Sequence, residues 1–404
     1  MALYDYLALE GGGAKGYIDV GVAEELERLG VLKDFRAIAG TSVGAIAALV
    51  LSTGWPVEKM KQTFLSLDFG KMAQGDWKDT LKIPYTIKTG FGLHDGAAFL
   101  ALFKSIVKEV TGNENTTFEE WHKIKEEHPE LGLKDIFVEA CNCNRRVNET
   151  FSYLSQHKDV PIADAIRASM AFPGYFTRHV IKGKSYSDGG VQMNCPSAVF
   201  EEEPGVFNPK VLTVRLDSKD EIKYFEEGIE PPEKEINCTL DYAVANFEAS
   251  TNAQNFAFHR SPYKEHTIFC DTLDVGTLDF ELKPKKKDAL IASGQYSTMR
   301  YFQENHPELA KQVYGKEDKA TLKQIKASKY TRFLSDFIAQ QPAQSFEGTA
   351  TVDVSSLASS SNVVPITHRY SQWCQLPALQ KMHRKAHTVD LTLDKEKKKT
   401  ALKV

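Results

Sequence analysis

Over about the first fifty residues the apolar positions switch between two periods. "YDYLALE", Tyr4 to Glu10, is mostly apolar and predicts a short buried strand, followed by a turn at Gly11–Gly13. "AKGYIDVGVAEELERLG" then spaces its apolar residues at helical intervals, with Gly30 as C-terminal cap. "FRAIAG" predicts a second strand, Thr41 and Ser42 a tight turn, and "VGAIAALVLSTG" a second helix ending at Gly54. Two successive strand–turn–helix units are the rhythm of an α/β fold with a parallel sheet.

Further along, the periodicity loosens. From Trp55 to Leu131 it breaks into short helices and glycine-interrupted loops, "DFGKMAQGDW" and "KTGFGLHDG" among them, which predicts a lid-like or cap-like insertion over 55–131. "DIFVEACN" and "ETFSYLS" read as neighbouring strands joined by the polar "CNRRVN", and "IADAIRASMAF" as a helix stopped by Pro173. "HVIKGKSYSDGG" predicts a strand pair delivering Asp188 to a glycine turn, and "KVLTVRL" another buried strand. "DALIASGQYSTMRYFQ" is the last long amphipathic helix; residues 306–404 form an extension with a polar linker near 341–362 and a basic tail.

Composition removes several function classes. With 50 basic and 54 acidic residues in 404, the net charge is −4, and no global basic field argues for nucleic acid. The apolar run Val43–Leu51 is far too short to span a bilayer, and the N-terminus lacks the basic region of a signal peptide. A cytoplasmic or membrane-surface protein is expected, with leaderless export into a host cell left open. The six cysteines form no CxxC pair and no zinc spacing, so no metal site is expected.

The candidate chemistry lies at the two turns. Gly11-x-Gly13-x-x-Gly16 between strand and helix fits a dinucleotide loop, and a nucleotide-binding oxidoreductase is one reading. That reading needs a carboxylate at the end of the second strand, where Gly40-Thr41-Ser42-Val43-Gly44 stands instead. This is a G-x-S-x-G pentapeptide, whose two glycines let a serine sit on a sharp strand-to-helix bend. Serine needs a base to become a nucleophile, and Asp188, freed by Gly189 and Gly190, is the best candidate. Backbone amides of the glycine loop would make a preorganised oxyanion hole, with Lys15 beside it. A triad through His179, His259 or His266 stays open on spacing alone.

Taken in order, Gly11-Gly12-Gly13-Ala14-Lys15-Gly16, Gly40-Thr41-Ser42-Val43-Gly44 and Asp188-Gly189-Gly190 resemble the bacterial type of patatin-like phospholipase. "RASMAFPGYF", "GLHDGAAFLALF" and "DVGTLDFELK" extend the likeness over roughly residues 1–305, with Glu10 standing where many members have aspartate. The resemblance implies a three-layer α/β/α fold with a mainly parallel sheet, and hydrolysis of acyl esters in phospholipids or lysophospholipids without metal or other cofactor. It implies a Ser–Asp dyad of Ser42 and Asp188, an oxyanion hole from Gly11, Gly12, Gly13 and Ala14, and no catalytic histidine.

A chain of this charge needs a local device to reach lipid. Phe64, Phe69, Trp77, Tyr85 and Phe91 interleaved with Lys59, Lys61, Lys71, Lys78, Lys82 and Lys88 suit a bilayer interface, so residues 64–95 are expected to form a lid or membrane-contacting surface. The C-terminal hundred residues leave room for a protein activator, which the resemblance allows. A catalytically inactive lipid- or partner-binding module is the remaining alternative.

Overall fold

The computed structural model describes residues 2–66 and 91–315. Its central element is β1 (Tyr6–Leu9), whose side chains divide between two cores as strand geometry requires. Leu7 and Leu9 enter the larger core, and Tyr6 and Ala8 the smaller one on the opposite face. The same division runs through β2 (Ala37–Thr41) and β4 (Asp135–Asn142), where Ile38, Ile136 and Val138 oppose Ala37, Ala39 and Phe137. Strands apolar on both faces are the mark of a sheet covered on both sides.

The sheet runs β10 (Thr267–Asp271), β9 (Val211–Asp217), β1, β2, β4, β8 (Lys184–Asp188), β7 (His179–Ile181), with β5 (Val147–Phe151) on the other edge of β4. From β10 to β4 every pairing is parallel; β5, β8 and β7 join antiparallel. The larger core is closed by α1 (Tyr17–Arg28), α2 (Val43–Leu51), α3 (Val57–Ser66) and a later helix, α9 (Pro284–Asn305). Between them along the chain lie α4 (Ala97–Thr111), α5 (Phe118–Glu127), α6 (Ile162–Ser169), α7 (Lys219–Glu227) and α8 (Thr239–Phe258). The architecture is a three-layer α/β/α sandwich around a mostly parallel sheet.

Several boundaries differ from the sequence reading. The helix expected to run to Phe172 ends at Ser169, four residues ahead of Pro173, because Met170 already leaves helical geometry. A small parallel pair, β3 (Gly92–His94) with β6 (Gly174–Phe176), was not anticipated. Past residue 305, α10 (Pro307–Tyr314) packs on α9, and the Tyr314 hydroxyl donates to Glu25 Oε2 at 2.8 Å. Of the interfacial aromatics, Phe64 is buried in the core and Phe91 is exposed; Phe69, Trp77 and Tyr85 lie outside the described residues, as do the linker and basic tail.

Candidate active site

The two elbows meet because β4 offers one edge to two strands in succession. Along it, Thr41 of β2 pairs with Glu139, and Asp188 of β8 pairs with the next residue, Ala140. β5 occupies the opposite edge, so the C-terminal ends of β2 and β8 abut. Ser42 follows Thr41 at φ 54° and ψ −122°, a strained conformation for a non-glycine residue that costs about 1–3 kcal/mol. The surrounding packing enforces it. A Cβ on Gly44 would lie 2.4 Å from the Leu9 carbonyl oxygen and one on Gly40 only 2.1 Å from that of Gly44, so both glycines are steric necessities of the bend.

The Ser42 hydroxyl is hydrogen-bonded to the Asp188 carboxyl, and the Gly190 amide donates to Asp188 Oδ1 at 2.8 Å. Asp188 is buried, and that burial pushes its pKa up to about 7 despite both hydrogen bonds. Two threads hold the pair in place. The Ser42 amide donates to Ser169 Oγ at 2.8 Å, and that hydroxyl donates to the Glu139 carbonyl at 2.5 Å. The Asp188 amide donates to the Ala171 carbonyl at 3.0 Å. Ser42 also occupies the position just before α2, so the positive end of that helix lies at the serine.

Residues Gly11 to Gly16 wrap the start of α1, with Gly16 packed against Val43. Of the four amides expected to form an oxyanion hole, two are committed: Gly11 donates to the Asn194 carbonyl and Ala14 to the Thr277 carbonyl, each at 3.0 Å. The Gly12 and Gly13 amides have no acceptor among the described residues. Gly13 has φ +58°, and a Cβ there would lie 2.0 Å from the Thr277 oxygen. The Gly12 carbonyl accepts from the Lys15 amide at 3.2 Å, which directs the Gly13 N–H of the same trans peptide the opposite way. The Lys15 ammonium makes no ion pair among the described residues.

Comparison with known proteins decides the class. Residues 7–200 match the family model of the patatin-like phospholipase. Residues 7–200 form a patatin-like phospholipase domain. Relatives of this patatin-like chain include an uncharacterized protein, R571, of Acanthamoeba polyphaga mimivirus. It is 23% identical over 290 residues, 71% of this chain and 90% of the relative. A cUMP-AMP-activated phospholipase of Escherichia coli is 42% identical over 57 residues, 13% of this chain and 18% of that protein. Among solved structures, VipD from Legionella pneumophila aligns with a TM-score of 0.49 and 17% identity, over 75% of this chain and 67% of its own. The family match supports lipid hydrolase activity.

None of the three histidines weighed for a triad in this patatin-like fold is hydrogen-bonded to Ser42 or Asp188 among the described residues. His179 Nε2 lies 2.8 Å from Asp164 Oδ1. His259 stacks between Phe225 and Phe269, and His266 packs edge-on against Tyr4 and Phe207. Sequence reasoning missed a buried ion cluster behind the loop. Glu10 Oε2 accepts from the Leu216 amide at 2.7 Å, and Arg215 Nη2 lies 3.7 Å from Glu10 Oε1 and 2.6 Å from Asp217 Oδ1. An arginine inside the apolar "KVLTVRL" was its only signal. Also missed were Ser169, Asn194 and Gln254, whose roles depend on partners more than sixty residues away or close to it.

Proposed function

We propose that the chain hydrolyses fatty-acyl esters of phospholipids or lysophospholipids, with Ser42 as nucleophile and Asp188 as its general base. The observation that carries this reading is the hydrogen bond between the Ser42 hydroxyl and a buried carboxyl pushed up to about 7. A carboxylate of that basicity takes the serine proton as the hydroxyl attacks the ester carbonyl, then returns it to the leaving alkoxide. The same cycle, with water in place of serine, releases the fatty acid. The tetrahedral oxyanion is received by the Gly12 and Gly13 amides, each such donor being worth ~2.7–4 kcal/mol to the transition state. With no histidine hydrogen-bonded to either partner among the described residues, the dyad is the simplest arrangement that balances the protons.

The catalytic unit in this reading is residues 1–305 with 55–131 as cap, and 306–404 serve another purpose. The substrate is a membrane lipid met at the bilayer surface. Activation by a partner is supported by the E. coli relative, a phospholipase activated by cUMP-AMP, and a protein activator would act on the extension. Leaderless export into a host cell is compatible with this use of the extension.

The test is fatty-acid release from mixed phospholipid vesicles by wild type, Ser42→Ala and Asp188→Asn, with and without a cell extract. Both variants are expected to lose turnover, whereas alanine at His179, His259 and His266 leaves it intact. Activity surviving Ser42→Ala would refute the nucleophile, and activity seen only with extract identifies an activator.

A further inference from the structure

The loop that follows Asp188 does more than carry the carboxylate. It ends at Asn194, which is buried and holds both polar groups of the Gly11 backbone. The Gly11 amide donates to the Asn194 main-chain carbonyl at 3.0 Å, and Asn194 Nδ2 donates to the Gly11 carbonyl at 3.1 Å. The same Nδ2 donates to Glu10 Oε1 at 3.1 Å. Fit is close on both sides, since a Cβ on Gly11 or Gly190 would lie 2.5 or 2.7 Å from Asn194 Oδ1. Asn194 is itself gripped from α8: its amide donates to Gln254 Oε1 at 2.7 Å, and Gln254 Nε2 donates to the Gly190 carbonyl at 2.9 Å.

The Gly11 carbonyl and the Gly12 N–H belong to one planar trans peptide and point in opposite directions. Whatever fixes the carbonyl therefore fixes the aim of the amide. A hydrogen bond received by the carbonyl also polarises the N–H across the peptide and makes it the stronger donor. We propose that Asn194 is a positioning residue of this esterase, aiming the Gly12 amide at the reacting oxygen through its grip on the Gly11 carbonyl. Through Gln254 and the Asp188–Asn194 loop, the base and the oxyanion donor are thereby set by one rigid unit. The inference rests on the reading of Gly12 as an oxyanion donor.

Asn194→Asp keeps the volume and Oδ1 but removes the donor and sets a carboxylate against Glu10. Gln254→Ala, on a half-buried helix position, loosens Asn194 without opening the core. Fatty-acid release from phosphatidylcholine vesicles is measured across pH with thermal unfolding alongside, and with Ser42→Ala as control. Asn194→Asp is expected to lower the plateau kcat about 10²-fold, the scale of one impaired oxyanion donor, with KM unchanged and the pH midpoint moved up by the new carboxylate near Asp188. Gln254→Ala gives a smaller loss of kcat with the midpoint unchanged. A folded Asn194→Asp with wild-type plateau kcat overturns the inference, as does a loss in the uncharged Gln254→Ala accompanied by a displaced pH midpoint, which would locate the effect in the carboxyl of Asp188. If Asn194→Asp does not fold, Gln254→Ala decides alone: wild-type kcat or a displaced midpoint overturns the inference. Full activity of Ser42→Ala would instead refute the underlying reading of the site.

Discussion

Thr41 and Asp188 stand opposite neighbouring residues of one strand, Glu139 and Ala140, so two strands that end head to head bring Ser42 and Asp188 into contact. This junction also buries the carboxyl, which is why its pKa lies near 7 and not near the ordinary aspartate value of 3.8. For a base the active form is the carboxylate, so kcat/KM is expected to rise with pH through about 7 and level off above it. A profile flat between pH 5 and 8, recorded as initial rates on vesicles, would contradict this assignment.

The same shift makes a stability prediction of opposite sense. Between the unfolded value of 3.8 and the folded value of about 7 the folded chain holds a proton that the unfolded chain has lost. The contribution of Asp188 is thus fully present below pH 3.8 and declines as pH rises through about 7. Asp188→Asn has no such proton to lose. It is expected to be inactive yet to gain in thermal stability relative to wild type as pH goes from 5 to 8, which melting curves at the two pH values check.

Strain at the elbow separates two inactive variants. Ser42→Ala and Ser42→Gly both lose the hydroxyl and its bond to Asp188, but only alanine keeps a Cβ at φ 54°. Glycine reaches this conformation without steric cost, so Ser42→Gly is expected to be more stable than Ser42→Ala by about 1 kcal/mol. Urea unfolding of the pair measures the difference directly.

Arg215 holds two buried carboxylates, Glu10 and Asp217, behind the glycine loop. Arg215→Met leaves them facing each other without a cation, and removing one partner of a buried ion group typically costs about 3–5 kcal/mol. The loss is expected to be smaller at pH 5 than at pH 8, because burial already raises the Glu10 pKa and its protonation relieves the repulsion. Adding Glu10→Gln and Asp217→Asn to the same chain should recover much of it. Denaturant midpoints for the single and triple variants test this.

How much of this could be read in advance follows the range of each interaction. Ser42, Asp188 and the glycines were legible because sharp bends impose local steric demands, and Gly40 and Gly44 meet them within five residues. The α/β rhythm was legible because β1, α1, β2 and α2 follow one another at short range. Asn194 and Arg215 were not, since the first depends on Glu10 and Gly11, about 180 positions away, and the second on strand pairing. Nor could spacing divide the four loop amides into committed and free ones, because the acceptors at Asn194 and Thr277 arrive from distant segments. The β3–β6 pair is only three residues long in each strand, too short for a period to show.

His259 offers a titration that does not involve the dyad. It stacks on Phe225 at 4.1 Å and on Phe269 at 5.5 Å between ring centroids. Burial, with Arg215 and Lys264 nearby, lowers its pKa to about 4, while Asp217 pulls the other way. Between the unfolded value of 6.5 and about 4 the unfolded chain binds a proton that the folded chain does not. Its contribution is therefore complete above pH 6.5 and is lost as pH falls towards 4. His259→Phe preserves the aromatic stack and has no proton to gain. Its melting temperature should fall less steeply than that of wild type between pH 7 and 5, with fatty-acid release at pH 8 unchanged. A catalytic histidine would give the reverse result: an unaltered slope and a collapse of turnover.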